Sequence, residues 1–149
     1  MTTVTKIVEF EACHNLPHYI GACHNLHGHS YKLEVTIGGS VNTDNKCAKC
    51  GMIIDFKDLK ALIKEVVLDK YDHAHLNQFF KNPTAEIMVK QIALDLMAKL
   101  PKKCYLVSCR LWETSTSYAE YRPTTLSEIA NPTSPLDYLA SQSALKPAT

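Results

Sequence analysis

The sequence carries almost no net charge and has no apolar run long enough to cross a bilayer. Its 16 Lys and Arg residues nearly balance its 15 Asp and Glu residues, so no overall electrostatic attraction favours nucleic acid or an anionic membrane. The N-terminus lacks the pattern of a secretory signal peptide. Without such a signal, the six cysteines do not indicate a disulfide framework. The sequence therefore predicts a cytoplasmic protein that binds neither nucleic acid nor membrane.

Alternating apolar and polar residues near the N-terminus predict two β-strands joined by a loop. The first strand runs from Val4 to His14 and the second from His27 to Ile37, with apolar residues at every second position. The segment between them, Asn15 to Ala22, contains Pro17 and Gly21, as is typical of a loop. If the two strands lie antiparallel, the end of the first and the start of the second come close together.

The rest of the chain predicts two helices followed by two more strands. The helices begin at the N-caps Asp55 and Thr84, and apolar residues follow each cap at helical spacing. The strands are Cys104 to Glu113 and Ser117 to Arg122. The alternation predicts that the first of these strands has one inward face formed by Tyr105, Val107, Cys109, Leu111 and Glu113.

The order of these elements predicts the fold class. Two strands, two helices and two strands, or ββααββ, are typical of an α+β domain built on one antiparallel sheet. We assign this domain to residues 1–122. Residues 123–149 are rich in Ser, Thr, Ala and Pro and are interpreted as a C-terminal extension.

Three histidines occur at strand ends on predicted apolar faces. His14 ends the first strand, and His27 and His29 begin the second. Neutral imidazole is a common zinc ligand, and three protein ligands leave a tetrahedral ion one open position. Three convergent histidines therefore favour a metal site. The alternative for each is a core histidine satisfied by hydrogen bonds.

Other residues offer weaker signals of chemistry. Cys23 lies four positions before His27 and is either a buried small side chain or a thiolate activated by a nearby cation. The adjacent Asp72 and His73 form a carboxylate–imidazole pair, which also occurs on many protein surfaces. Glu113 places a carboxylate at the end of an apolar face, where it is costly unless paired.

Six motifs, taken in order, resemble the 6-pyruvoyl tetrahydropterin synthase family. They are Phe10-x-Ala12-x-His14, Cys23-x-x-x-His27-Gly28-His29, Gly51-Met52-x-x-Asp55-Phe56, Asp72-His73-x-x-Leu76-Asn77, Pro83-Thr84-x-Glu86 and Glu113-Thr114. Together they span roughly residues 4 to 122. That family includes the 6-carboxy-5,6,7,8-tetrahydropterin synthases of queuosine biosynthesis. The resemblance implies the tunnelling fold (T-fold), a four-stranded antiparallel sheet with two helices on one face.

The resemblance also implies a catalytic zinc and a proton-transfer set. The implied zinc ligands are His14, His27 and His29. Cys23 would be the general base that removes a proton from the pterin side chain. Asp72 and His73 would complete the set, and in the family they come from a neighbouring subunit. The family's homo-oligomer is a hexamer, a dimer of trimers, with active sites between subunits.

The remaining implied roles concern the substrate. Glu113 would anchor the pterin ring, and Thr84 and Glu86 would lie near the same pocket. A carboxylate matches the two parallel N–H donors on the edge of a pterin. The substrate implied by the resemblance is a pterin triphosphate.

The choice of reaction rests on the gap between His14 and Cys23. The gap in this sequence is short and resembles that of the bacterial 6-carboxytetrahydropterin enzymes. The animal 6-pyruvoyl enzymes have a longer insertion at this position. We therefore favour conversion of 7,8-dihydroneopterin triphosphate to 6-carboxytetrahydropterin with loss of acetaldehyde and triphosphate. The alternatives are a 6-pyruvoyl tetrahydropterin synthase, a pterin aldolase and a non-catalytic zinc-stabilised pterin-binding module. The aldolase variant has a glutamate where Cys23 stands, which argues against it.

One further motif falls outside the resemblance. Cys47-x-x-Cys50 has the spacing of half a structural zinc site, but no second pair of ligands lies nearby in the sequence. A solvent-facing pair of thiols is therefore the favoured interpretation.

Overall fold

The computed structural model describes residues 1–124, which form one sheet with helices packed on one of its faces. The strands are β1 (Thr3–His14), β2 (His27–Gly39), β3 (Ala74–His75), β4 (Cys104–Thr114) and β5 (Ser117–Tyr121). They lie side by side in the order β3-β1-β2-β4-β5. All neighbours are antiparallel except β1 and β3.

The prediction of an α+β fold is confirmed, but the prediction of a four-stranded, purely antiparallel sheet is wrong by one strand. The two residues of β3 pair parallel with Ala12 and Cys13 at the edge of β1. A two-residue strand is too short to produce an alternating pattern of hydrophobicity. It forms because the edge of β1 supplies its hydrogen-bond partners, which the local sequence cannot reveal.

The helices begin where the capping residues predict. The helix α1 (Phe56–Ile63) continues through a π-helical segment, Lys64–Leu68, into the short α2 (Asp69–Tyr71). Asp55 caps α1 by accepting a hydrogen bond from the Lys57 N–H at 2.7 Å. The second predicted helix is α3 (Ala85–Met97), whose cap Thr84 accepts a hydrogen bond from the Ile87 N–H at 3.4 Å. These caps satisfy backbone donors that the first turn leaves without helical partners.

The core lies between the sheet and the helices. Alternate residues of β1 and β2 face the helices, and every inward residue of β2 from Tyr31 to Ile37 is 0% exposed. The helical residues that meet them are Leu59, Ile63, Val66, Val67, Met88, Val89, Ile92 and Leu96. The opposite face of the sheet carries many charged side chains, among them Glu34 and Arg110. His14, His27 and His29 therefore lie on the inward face, as predicted.

The predicted inward face of β4 is only half right. Thr36 pairs with Ser108, whereas Ile37 pairs with Leu106, so one extra residue is inserted in β4 at this point. Such a bulge reverses the alternation of side chains. Leu106 and Cys104 are consequently buried in the core in place of Val107 and Tyr105, whereas Cys109, Leu111 and Glu113 remain on the inward side. The bulge depends on pairing with β2 and has no local signal.

Two other predictions concern the ends of the fold. The C-terminal extension, 123–149, lies outside the described residues from position 125 onward and stays a prediction. Within residues 1–124, none of the helices combines the length and hydrophobicity that a membrane span requires.

Candidate active site

The three predicted zinc ligands converge where β1 ends and β2 begins. His14 pairs directly with His27 across the two strands, and His29 lies opposite Ala12. The imidazole centroids of His14 and His27 are 4.6 Å apart, those of His27 and His29 are 4.9 Å apart, and those of His14 and His29 are 5.1 Å apart. One ring nitrogen from each lies within 4.8 Å of the others. The antiparallel pairing thus brings together residues up to 15 positions apart, since His14 and His29 bracket the whole loop.

Backbone carbonyls fix the tautomers of two of these rings. The Nδ1 of His14 lies 2.8 Å from the carbonyl oxygen of Pro83, and the Nδ1 of His27 lies 2.8 Å from that of Asn25. A carbonyl oxygen only accepts, so each Nδ1 carries the proton and donates it. In a neutral ring the lone pair then resides on Nε2. Metal-binding histidines are commonly oriented in this way by their second nitrogen.

The free lone pairs face one another. The Nε2 atoms of His14 and His27 are 3.1 Å apart, and neither has a proton to offer the other. The Nε2 of His29 is buried and has no hydrogen-bond partner among the described residues. Buried polar atoms without a partner are rare and call for an explanation. A cation bound by these three nitrogens would give each of them a partner.

The spacing of one pair of nitrogens is close to that expected for zinc. In a tetrahedral zinc site with Zn–N bonds of about 2.0–2.1 Å, two ligand nitrogens are roughly 3.4 Å apart. The observed separation of 3.1 Å between His14 and His27 is close to that value. Three imidazoles leave the fourth position open, which is the arrangement of catalytic rather than structural zinc sites.

Burial favours the neutral, metal-binding form of two of the histidines, His14 and His29. Burial lowers the pKa of His14, and this effect outweighs the raising effects of the Pro83 hydrogen bond and of the Glu113 carboxylate. Burial likewise lowers the pKa of His29, against the raising effect of Glu113, while the neighbouring imidazoles lower it further. An uncharged ring has a free lone pair, whereas a protonated ring cannot bind a metal.

Three residues that the resemblance assigns to the substrate line one cleft. Thr84 and Glu86, at the N-terminus of α3, and Glu113, at the end of β4, border a cleft of about 340 Å³. Its volume is at the lower end of the range for small-ligand sites, roughly 300–1,000 Å³. The Oε1 of Glu113 is 3.7 Å from the Nε2 of His29. This contact joins the cleft directly to the histidine cluster.

Cys23 occupies a 3₁₀ turn, Ala22–His24, just before β2. Its side chain is half-buried and its carbonyl accepts a hydrogen bond from the Leu16 N–H at 2.8 Å. That bond closes the predicted loop between β1 and β2. The group of three converging ligand atoms does not include the Cys23 sulfur.

Asp72 and His73 form a pair that is clamped to the edge of β1. The Nδ1 of His73 is 2.9 Å from the Oδ1 of Asp72. Asp72 also accepts the Glu11 N–H at 3.0 Å, while the His73 N–H donates to the Glu11 carbonyl at 2.6 Å. These bonds hold His73 at a φ of 59°, a left-handed conformation uncommon outside glycine. Such conformations persist where surrounding contacts impose them, often at functional sites.

His73 does not share the cleft of Glu113 in the same chain. Its side chain is 79% exposed, and it lines a separate cleft of about 360 Å³ together with Glu11, Cys13 and His29. The structure therefore brings the three histidines close to the Glu113 cleft, whereas His73 lines a separate cleft on the other side of His29.

The Cys47-x-x-Cys50 motif forms a tight turn in which the Cys50 N–H donates to the Cys47 carbonyl at 3.0 Å. Both thiols are free, with Cys50 exposed and Cys47 half-buried. Neither belongs to a group of three or more metal-binding side chains among residues 1–124.

The sequence did not indicate two components of the site. The carbonyls of Pro83 and Asn25 orient the histidines, and backbone oxygens have no residue-type signal, although Pro83 opens one of the matching motifs. Leu16 and Tyr19, from the loop before Cys23, form part of the wall of the Glu113 cleft. Nothing in their spacing pointed to this position.

Comparisons with known proteins agree with this geometry. A family model described as 6-pyruvoyl tetrahydropterin synthase matches residues 3–124. The chain is 34% identical over 142 residues to a 6-carboxy-5,6,7,8-tetrahydropterin synthase of Haemophilus influenzae, covering 82% of this chain and 99% of that protein. It is 37% identical over 125 residues to the same-named protein of Synechocystis sp., covering 81% and 93%. A solved structure of Caenorhabditis elegans 6-pyruvoyl tetrahydropterin synthase superposes with a TM-score of 0.70 at 26% identity, covering 83% and 96%.

Proposed function

The chain belongs to the 6-pyruvoyl tetrahydropterin synthase family, and we propose that it is a zinc-dependent 6-carboxy-5,6,7,8-tetrahydropterin synthase. It would convert 7,8-dihydroneopterin triphosphate to 6-carboxytetrahydropterin, releasing acetaldehyde and triphosphate. This lyase would act in the cytoplasm and supply 7-deazaguanine and queuosine biosynthesis. The observation that carries the proposal is the convergence of three imidazole nitrogens beside the carboxylate of Glu113. The two similar proteins named as 6-carboxy-5,6,7,8-tetrahydropterin synthases support the choice of reaction.

In this proposal His14, His27 and His29 hold a zinc ion. When bound, the ion supplies Lewis-acid chemistry that acidifies a C–H bond next to an oxygen of the substrate side chain. The protein prepares the site in advance. The carbonyls of Pro83 and Asn25 keep two rings in the tautomer with Nε2 available, so binding requires no proton rearrangement on those rings.

Glu113 is proposed to anchor the pterin ring. Its carboxylate accepts two parallel N–H groups from the ring edge, a pair of charge-assisted hydrogen bonds. Because Glu113 lies 3.7 Å from His29, a ring held there presents its side chain towards the histidine cluster. Thr84 and Glu86 border the same cleft and would contact the bound ring.

Cys23 is proposed as the general base, with Asp72 and His73 assisting proton transfer. A thiol near a dication ionises at a lower pH, which makes it an effective base at neutral pH. The hydrogen bond between Asp72 and His73 orients the imidazole. Because His73 lies outside the Glu113 cleft of its own chain, we infer that the pair serves the site of a neighbouring subunit.

An assembly of subunits is consistent with the edges of the sheet. Within residues 1–124, the outer edge of β1 pairs with β3 only at Ala12 and Cys13, so most of this edge of the 12-residue strand has no neighbouring strand. Long open edges are usually covered in native proteins. We propose a homo-hexamer, a dimer of trimers, in which edge-to-edge pairing covers β1 and brings Asp72 and His73 to a second subunit's cleft.

The test is a product assay. The zinc-loaded protein is incubated with 7,8-dihydroneopterin triphosphate, and acetaldehyde, triphosphate and the pterin products are measured. We expect acetaldehyde and 6-carboxytetrahydropterin in equal amounts. Release of triphosphate without acetaldehyde, together with a pyruvoyl pterin, would refute the proposed reaction and leave the family assignment intact.

A 6-pyruvoyl tetrahydropterin synthase is the second candidate. It is favoured by the C. elegans protein of that name, whose structure this chain shares over most of its length. Both reactions begin with the same substrate and use the same zinc ligands and anchor in this proposal. The acetaldehyde measurement distinguishes them directly. A non-catalytic binding module is a weaker candidate, because the three-histidine site leaves a position open.

A further inference from the structure

An aromatic residue that no motif singles out lies on the wall of the Glu113 cleft. Tyr19 borders this cleft together with Leu16, while Thr84 and Glu86 form another part of its wall. It is 53% exposed, a large fraction for an aromatic side chain in an ordered loop. A half-exposed ring beside a carboxylate-containing cleft is suited to contact a planar ligand.

The loop holds Tyr19 in place through local hydrogen bonds. The Tyr19 N–H donates to the Leu16 carbonyl at 3.1 Å, and the Leu16 N–H donates to the Cys23 carbonyl at 2.8 Å. These bonds tie the backbone of Tyr19 to the turn that carries Cys23. A loop whose backbone is ordered before binding loses less entropy when a ligand arrives.

Gly21 allows the ring to pack against the backbone of the loop. A Cβ atom at Gly21 would lie 2.9 Å from Cε1 of Tyr19, and the φ of Gly21 is 145°, a conformation that favours glycine. Any other residue at position 21 would both strain the backbone and displace the ring. The glycine at position 21 thus leaves the space that one edge of the Tyr19 ring occupies.

We propose that Tyr19 is a specificity-determining residue that stacks on the pterin ring while Glu113 binds the ring edge. The inference rests on the proposed function, because it takes the bicyclic pterin as the ligand of this cleft. Glu113 recognises the N–H groups in the plane of the ring, whereas an aromatic wall recognises its flat face. The two contacts together select a planar heterocycle with an N–H edge.

Tyr118 also borders the cleft but is less suited to this role. Its ring packs against Trp112, with centroids 4.4 Å apart, and the guanidinium of Arg110 lies 5.1 Å from its centre. Trp112 and Tyr118 pair across β4 and β5, so these contacts tie the Tyr118 ring to the sheet. Tyr19 instead projects from the loop next to Cys23.

The experiment measures binding of neopterin to the zinc-loaded full-length protein by calorimetry and by pterin fluorescence. Stacking of an aromatic side chain on a nucleic-acid base changes affinity by about 1–3 kcal/mol, roughly 5- to 150-fold. We expect Tyr19→Ala to weaken neopterin binding by roughly tenfold or more, and Tyr19→Phe to stay within about twofold of the unmodified protein. In the product assay Tyr19→Ala should raise KM by more than it lowers kcat.

Ile20→Ala is the matched control. Ile20 is the next residue in the same loop, is 98% exposed and does not border the cleft. Its removal tests whether any truncation in this loop weakens binding. Equal weakening by Ile20→Ala and Tyr19→Ala would overturn the stacking role, because loop distortion would then account for both.

The outcomes separate this inference from the proposed function. If the unmodified protein binds neopterin, Glu113→Gln weakens the binding and Tyr19→Ala stays within twofold, the stacking role is refuted and the proposed function stands. If Tyr19→Phe loses as much affinity as Tyr19→Ala, the hydroxyl rather than the ring face is responsible, which also overturns the proposal. If the unmodified protein binds no neopterin, the stacking role is refuted, and the product assay alone decides the proposed function.

Discussion

The strongest quantitative expectation concerns replacement of Glu113 by glutamine. Glu113 lies beside a second irregularity of β4, between Trp112 and Thr114, where the pairing with β5 shifts. Bulges commonly re-aim a side chain next to an active site. The carboxylate is directed towards His29, at 3.7 Å, and its side chain is 29% exposed. The carboxylate is thus accessible to a ligand. It is also sheltered enough from water for its hydrogen bonds to contribute to the binding free energy.

The size of the effect follows from the two hydrogen bonds proposed for the pterin edge. Hydrogen bonds to a charged group contribute about 1.5–3 kcal/mol each. Glutamine keeps the shape of the side chain but places an N–H group opposite one of the pterin N–H donors. One hydrogen bond is therefore lost, and the acceptor of the other no longer carries a charge. We expect a loss of about 3 kcal/mol, or roughly 100-fold in the affinity for neopterin.

Two measurements define the result. Calorimetric titration with neopterin gives the dissociation constant, and metal analysis gives the zinc content per chain, which should be unchanged because the three imidazoles remain. Glu120→Gln is the control, since Glu120 pairs with Arg110 on the opposite face of the sheet. A Glu113→Gln protein that retains full zinc and binds neopterin within threefold of the unmodified protein would refute the anchoring role.

Two further predictions address the base and the histidines. Cys23→Ala should retain one zinc per chain, because the Cys23 sulfur is not among the converging atoms. Its kcat should fall by about 100-fold or more, and full activity would exclude Cys23 as the base. Burial lowers the pKa of His14 and His29 from the ordinary value of 6.5. In chelator-treated protein the unfolded chain therefore binds protons that the folded chain does not, so the free energy of unfolding should fall as the pH drops below about 6.5. Urea unfolding at pH 7.5 and 5.5 measures this, and equal stability at both values would contradict it.

Local patterns in the sequence determined most of the fold. Alternation over β1 and β2 placed His14, His27 and His29 on the inward face, because neighbouring strand residues point to opposite sides. Asp55 and Thr84 were recognised as helix caps because their side chains bond to donors two or three residues away. These features depend on contacts within one element, or between two strands adjacent in the sequence.

Tertiary structure alone decided the features that depend on distant parts of the chain. The extra residue in β4 is fixed by pairing with β2, and β3 exists only because it meets the edge of β1. The tautomer of His14 is set by the Pro83 carbonyl, 69 residues away along the chain. No local periodicity encodes such contacts, because they involve backbone groups that every residue shares. The sequence therefore predicted which three histidines converge, and the fold determined which nitrogens of His14 and His27 face each other.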